Sequence, residues 1–260
     1  MIKKCTSSDY EVLIKYLTQE SVYNTFLIAD IENYGFCYEH QNVYMQKDVN
    51  EKCCGVFLTY FNNLILSGDA PVLNYEFIQG LITDKITTVM GKAEILKKLS
   101  ETYKEKSKYI EKNMYILPND EKLFEENETK IGNEDDIQRI YDFLMTIPSF
   151  KELYGEKEML INRIKNNEGV HVYIEEEGKL VAHGNSAAST NYSSMIGGLC
   201  VEGLHRKQGL FKKVVSRIGR EILKQNKIPC IFVDDNQQYS IFPQLGFEVY
   251  GKWGVLQIIK

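Results

Sequence analysis

The chain has 260 residues, 43% of them apolar and 26% charged, and a net charge of −5. That is enough apolar side chain for one large core or two ordinary ones, which excludes wholesale disorder. The acidic balance argues against a general nucleic-acid binder, and no apolar run approaches the roughly 20 residues of a membrane span, so neither nucleic acid nor membrane is expected as a partner. In chain order, Met1–Cys5 reads as a strand, and Ser7 or Ser8 with Asp9 marks a helix start before Val12, Leu13, Tyr16 and Leu17. A second apolar helix is expected over Ser21–Asn33. Strands are expected over Asn42–Gln46, Cys54–Phe61 and Asn63–Ser67, the last two joined by a tight turn. Phe77–Leu81 and Glu94–Tyr103 read as helices around a short strand, Thr87–Met90, and Lys108–Leu117 closes the series as a strand.

An acidic, polar stretch from Asn119 to Glu128 reads as a linker. The order then restarts. Thr129–Ile131 is a candidate strand, Asn133 caps a helix carrying Ile137, Ile140, Tyr141 and Leu144, and Glu156–Asn166 is a second helix. Val170–Ile174, Leu180–Ala187 and Ser194–Val201 are strands, the first two joined at Glu176-Glu177-Gly178. A long helix over Gly209–Asn226, a strand over Pro229–Val233, a short helix over Gln237–Gln244 and closing strands over Phe247–Trp253 and Leu256–Ile259 complete the chain. The repeated order predicts an α/β chain of two domains, 1–125 and 126–260, with one irregular α/β domain as the alternative.

The six cysteines form no C-x-x-C pair and have no histidine at ligand spacing, so no metal site is expected, and a reduced, cytoplasmic chain is the simplest account. No arginine precedes Arg139. Because guanidinium grips phosphate in a planar fork, a phosphate-bearing ligand belongs more naturally to the second half.

The informative run lies between Ser194 and Gly209. A buried-looking strand ends in a polar loop carrying Glu202, His205, Arg206, Lys207 and Gln208. Gly209 then opens a helix whose apolar residues, Leu210, Phe211, Val214, Val215, Ile218 and Ile222, share one face. The first N–H groups of a helix lack intrahelical partners and carry partial positive charge. A glycine there lets an anion approach the backbone, and flanking cations add to the attraction. The bland alternative is a tight strand-to-helix turn with solvated basic residues.

Over Ile196–Phe211, and again over Ile228–Tyr250, the sequence resembles the GCN5-related N-acetyltransferase superfamily. Arg206, Lys207, Gln208 and Gly209 match its Q/R-x-x-G-x-G/A signature after a strand, and Asn236 through Leu245-Gly246-Phe247 resembles its N…LGF stretch. The resemblance implies a tandem acyl-CoA N-acyltransferase fold with a mixed central sheet flanked by helices, the first domain being without cofactor. It also implies acetyl-CoA as cosubstrate and, as acceptor, an amine of a small molecule or peptide, attacked without an acyl-enzyme intermediate. In that reading the backbone of Leu199 and Val201 holds the pantetheine arm. The N–H groups of Arg206, Lys207, Gln208, Gly209, Leu210 and Phe211 hold the diphosphate. Lys207, Lys212 or Lys213 meets the 3′-phosphate, Asn236 flanks the arm, and the Cys200 N–H faces the thioester carbonyl. Two positions depart from the family. Phe211 stands where Gly or Ala is usual, and Phe242 stands where many members carry a proton-donating Tyr, which leaves Tyr239 as the candidate acid, with water as the alternative. Glu202, His183 and Tyr192 are candidate bases. Cys200 has no His–acid pair to activate it and reads as a packing residue. A cofactor-binding module without catalysis is the alternative function. A dinucleotide enzyme is excluded, because Gly203 and Gly209 do not supply G-x-G-x-x-G.

Overall fold

The computed structural model describes residues 1–151, 161, 164, 169–234 and 241–259. They form two compact units: Met1–Met114 with Phe232–Gln237 and Tyr250–Lys260, and Tyr115–Ile231 with Gln238–Val249. Segments of the C-terminal half thus complete the first unit.

The first unit begins with β1 (Ile2–Lys4) and a single 3-10 turn before α1 (Tyr10–Leu17). The cap is Thr6, not Ser7 or Ser8. Its N–H donates to the Asp9 carboxylate at 3.0 Å, closing a T-x-x-D box. Lys3, at 2.5 Å from Asp9, holds that carboxyl below its ordinary range. The second helix, α2 (Thr25–Tyr34), starts later than Ser21 because Asn24 spends its side-chain amide on the Leu17 carbonyl at 2.8 Å, which ties a turn between the helices. The strands β2 (Gln41–Lys47), β3 (Cys53–Tyr60) and β4 (Asn63–Gly68) form an antiparallel meander, and Phe61 makes the expected tight turn with φ +50°. After α3 (Tyr75–Leu81), β5 (Thr88–Lys92) lies parallel to β4, and α4 (Ala93–Thr102) and β6 (Ser107–Ile116) follow.

The two expected closing strands are one, β12 (Glu248–Ile258), which pairs antiparallel with β5. Gly254 does not break it. A Cβ there would lie 2.6 Å from that of Leu96, so the glycine marks close approach of a helix. The sheet order in this unit is β1-β2-β3-β4-β5-β12-β6. The two-residue period of a strand divides its side chains between two cores. Val56 and Leu58 face Leu13, Leu17, Leu27, Ile28 and Trp253; Phe57 faces Ile78, Val89, Leu96 and Leu256.

The second unit opens on β7 (Lys130–Ile131) and a 3-10 turn, where Asn133 accepts from the Asp135 N–H at 2.8 Å as the expected cap. The helices α5 (Ile137–Met145) and α6 (Pro148–Lys151) follow. The helix expected over Glu156–Asn166 lies outside the described residues except for Ile161 and Ile164, both helical, with Ile164 buried. The strands β8 (His171–Glu176) and β9 (Lys179–Ser189) turn at Glu177 (φ +50°) and Gly178 (φ +79°), the paired left-handed residues that suit a hairpin. Next come β10 (Ser193–Val201), α7 (Leu210–Leu223), β11 (Ile228–Asp234) and α8 (Ile241–Gln244). The order is β11-β10-β9-β8-β7. Ile137, Ile140, Phe143 and Leu144 of α5 pack with Tyr173 and Leu180, while Val214 and Ile218 of α7 close on Gly184.

The acidic stretch that reads as a linker is a strap laid along α7. Leu123 is buried, and the Phe124 N–H donates to Ser216 Oγ at 3.0 Å. Arg220 donates to the Phe124 and Leu123 carbonyls at 2.7 and 3.1 Å and pairs with Glu126. Lys213 meets Glu128 at 2.6 Å. Composition resembles that of a linker because these acids are matched to the cations of one helix. Among the described residues, no helix is long and apolar enough to cross a membrane, and no His/Cys/Asp/Glu group is placed to hold a metal ion.

Candidate functional site at the β10–α7 junction

β10 changes character at its midpoint. Ser193–Ile196 are buried, whereas Gly197–Val201 are only half-buried. Its parallel pairing with β11 covers Ser193–Met195 against Ile228–Cys230 and goes no further among the registered pairs. On its other edge, pairing with β9 slips between Gly197 and Cys200, so Gly198 and Leu199 together oppose Gly184. Gly198 sits at φ +58°, the geometry of a bulge whose first residue is a left-handed glycine. A Cβ there would also lie 2.8 Å from Asn185 Oδ1. The strand therefore leaves β11 and kinks within a few residues, exposing backbone on the edge that has lost its partner.

Beyond Val201 the chain makes a 3-10 turn, Gly203–His205. Glu202 lies 2.5 Å from His205 Nδ1, and Glu176 lies 3.3 Å from Nε2. Lys207 takes φ +65° and Gly209 φ +84°. No side chain caps α7, and nothing lies within 4 Å of where a Gly209 Cβ would be. The buried Leu210, Val214, Val215 and Ile218 seat the helix on the sheet, so its first N–H groups are held still and presented outward. An anion-sized cradle with a bare backbone floor results, and the residues present fit a diphosphate.

The structure brings together most of the residues expected from the sequence. Leu199, Cys200 and Val201 occupy the bulged edge of β10, and Arg206, Lys207, Gln208 and Gly209 are exposed around the cradle. Arg206 Nε donates to the Val201 carbonyl at 3.4 Å, and Gln208 reaches the Leu204 carbonyl at the same distance. Leu210 is buried, and half-buried Phe211 meets Phe242 edge-to-face at 6.0 Å. Phe242 is buried and also packs on Tyr115 and Phe247, so the two departures from the family pattern share one aromatic cluster. Lys212 lies 2.8 Å from Gln244 and over the Phe124 ring, and Lys213 is held by Glu128. Asn236 and Tyr239 lie outside the described residues.

The candidate bases separate. Tyr192 lies in the turn before β10, nine residues and about 30 Å of extended strand from Val201, far from the junction. His183 is wholly buried. Desolvation drives its pKa down to about 4, and both ring nitrogens are occupied, so it presents no lone pair to a substrate. Burial pushes the Cys200 thiol up to about 12, which keeps it protonated and unsuited to nucleophilic attack. Glu202, half-exposed and held by His205, is the one expected base among the described residues that stands at the junction.

Sequence reasoning missed a cavity of about 1030 Å³ beside this junction. It is lined by Phe143, Thr146 and Ile147 at the end of α5, by Glu176, Leu180 and Val181 of the β8–β9 hairpin, and by Glu202, His205 and Arg206. Each segment was legible alone; their convergence depends on where α5 crosses the sheet. The Gly197-Gly198 pair was a missed signal too, since glycines inside a strand often mark a bulge.

The family model for FR47-like protein matches residues 172–254, which include β10, the cradle and α7. No curated protein matches the chain. Among solved structures, a Drosophila protein aligns with a TM-score of 0.71 at 12% identity, covering 99% of this chain and 98% of its own. A GNAT-family acetyltransferase from Colwellia psychrerythraea aligns at 0.57 and 17% identity over 100% of both chains. A tandem GNAT protein from the clavulanic acid biosynthesis pathway, in a form without AcCoA, aligns at 0.60 and 9% identity over 98% of this chain and 97% of that one. At these identities the likeness is one of fold: a mixed sheet flanked by helices, built in tandem.

Proposed function

We propose that this chain, whose fold is that of the GCN5-related N-acetyltransferase superfamily, transfers an acetyl group from acetyl-CoA to an amine of a small molecule or peptide. The observation that carries the reading is the uncapped start of α7, with Gly209 at φ +84° at the end of the short loop that follows a strand parted from its parallel neighbour. Acetyl-CoA supplies an activated thioester whose carbonyl carbon accepts an amine directly.

The chain's own contributions follow from its backbone and charges. N–H groups from Arg206 to Phe211 cradle the diphosphate, and the exposed Arg206 and Lys207 add attraction. Lys207 is the better partner for the 3′-phosphate, because Lys212 and Lys213 already hold Gln244 and Glu128. The free edge at Leu199 and Val201 binds the pantetheine amides as a strand binds its neighbour, with Asn236 flanking the arm. The Cys200 N–H stabilises charge on the carbonyl oxygen. Glu202 takes the proton lost by the attacking amine, and Tyr239 returns one to the leaving thiolate. Residues 126–260 carry this work; residues 1–125 bind no cofactor.

A coenzyme A-binding module without turnover is the second reading. Phe242 favours it, since a buried phenyl ring stands where a proton donor is usual in the family. Thiol release from acetyl-CoA against a panel of primary amines separates the two. Turnover that falls in Arg206→Ala and Gly209→Glu supports the enzyme. Coenzyme A binding with no turnover on any amine supports the module.

A further inference from the structure

The bulge that aims β10 has its own support. In a regular antiparallel pair each inward carbonyl of β10 would accept from a β9 N–H. The slip at Gly198 and Leu199 interrupts that alternation. There the Gly198 carbonyl meets a side chain: His183 Nδ1 lies 3.1 Å from it. His183 sits on β9 directly opposite Cys200, and its Nε2 lies 3.1 Å from Nδ1 of His171 on β8. Both imidazoles are buried. A carbonyl oxygen only accepts, so Nδ1 of His183 carries the hydrogen. In the neutral ring Nε2 is then bare, and His171 Nδ1 donates to it.

We propose that His183 is a positioning residue for acyl transfer: its Nδ1–H clamps the Gly198 carbonyl and so fixes the register of Leu199 and Cys200 on the edge where the thioester is to lie. This rests on the acetyltransferase reading above. The left-handed position of the bulge requires a glycine, and β10 offers two in a row, Gly197 and Gly198; the clamp selects between them. A slip of one residue turns every following side chain and N–H to the opposite side. The cradle at Gly209 is built by α7 and stays as it is, so loss of the clamp acts on the chemical step and not on diphosphate binding. Burial that keeps His183 neutral serves the same end, because the donor at Nδ1 and the acceptor at Nε2 persist throughout the working pH range.

The test uses His183→Asn and His183→Gln in the full chain. Asparagine places an N–H where Nδ1 stands; glutamine places its N–H farther out, near the position of Nε2. His183→Asn is expected to keep kcat within about threefold, whereas His183→Gln lowers it about 10- to 100-fold and weakens coenzyme A, whose pantetheine arm lies on that edge, while the affinity for 3′-phospho-ADP, which has no such arm, is unchanged in both. Equal loss in both variants, or no loss in either, overturns the proposal. Histidine ¹⁵N spectra of the unmodified protein are expected to show His183 neutral with the proton on Nδ1, and a proton on Nε2 alone overturns it. Should no amine support turnover, the amide resonances of Leu199 and Cys200 still decide. The proposal expects them unmoved by His183→Asn and displaced by His183→Gln, even though the acetyltransferase reading would then have failed. Identical spectra for the two variants would overturn the clamp.

Discussion

The two units contain the same passage, a strand leading to a helix beside a parallel strand, and they finish it differently. In the first unit β4 pairs with β5 over Asn63–Leu66 without a gap, keeps an unbroken register with β3, and reaches α3 with Asn74 accepting from the Phe77 N–H at 3.0 Å. In the second, β10 leaves β11 after Met195, bulges at Gly198, and reaches α7 through Gly209 with no side-chain cap. One junction satisfies its own backbone. The other leaves a strand edge and a helix start unsatisfied, which is what a ligand of amides and phosphates requires. The contrast teaches that two junctions of like element order come to differ in what backbone they leave open through one strand pairing and one helix cap.

The largest expected effect separates the units by acid. His183 has a native pKa of about 4 against about 6.5 when unfolded, so the unfolded chain binds the extra proton first. Its contribution is complete above pH 6.5 and is lost as pH falls toward 4, by up to about 3 kcal/mol. Amide exchange in β9 and β10 is expected to accelerate near pH 5 before the fluorescence of Trp253, the sole tryptophan and a core residue of the first unit, changes. Simultaneous loss would break the contrast. Next, Gly209→Glu places a carboxylate in the cradle on a left-handed backbone and is expected to weaken coenzyme A by about 2 kcal/mol, roughly 30-fold by calorimetry, while the backbone strain lowers Tm by about 2–4 °C. A smaller change is expected for Arg206→Ala: about tenfold in KM for acetyl-CoA with kcat retained, the difference shrinking in molar salt. Least of all, Asn74→Ala removes a helix cap and should cost about 1 kcal/mol in urea unfolding read at Trp253, with coenzyme A affinity unchanged.

Much of this was legible in the residues. The unbroken apolar run Val56–Leu58 marks a strand because both its faces are buried, and the apolar spacing from Leu210 to Ile222 marks α7 because one side of the helix meets the sheet. The cradle was visible as Arg206 and Gly209 because its chemistry is local. What depended on pairing was not visible. Val89-Met90-Gly91-Lys92-Ala93 looks like the nearest N-terminal counterpart of the motif, yet it ends β5, the second strand of the parallel pair; the position matching the motif is Gly68–Asn74, after β4. The strap was hidden for a similar reason, since Glu126 and Glu128 look solvated until α7 supplies Arg220 and Lys213. His183 reads from sequence as a candidate base, and only its burial and the slip in register show which carbonyl it serves.

Hydrogen–deuterium exchange of the full chain with and without saturating coenzyme A addresses the contrast between the junctions most directly. The expected result is protection confined to Gly197–Val201 and Arg206–Val214, with Gly68–Phe77 unchanged. Protection at Gly68–Phe77, or none across Arg206–Val214, would contradict it.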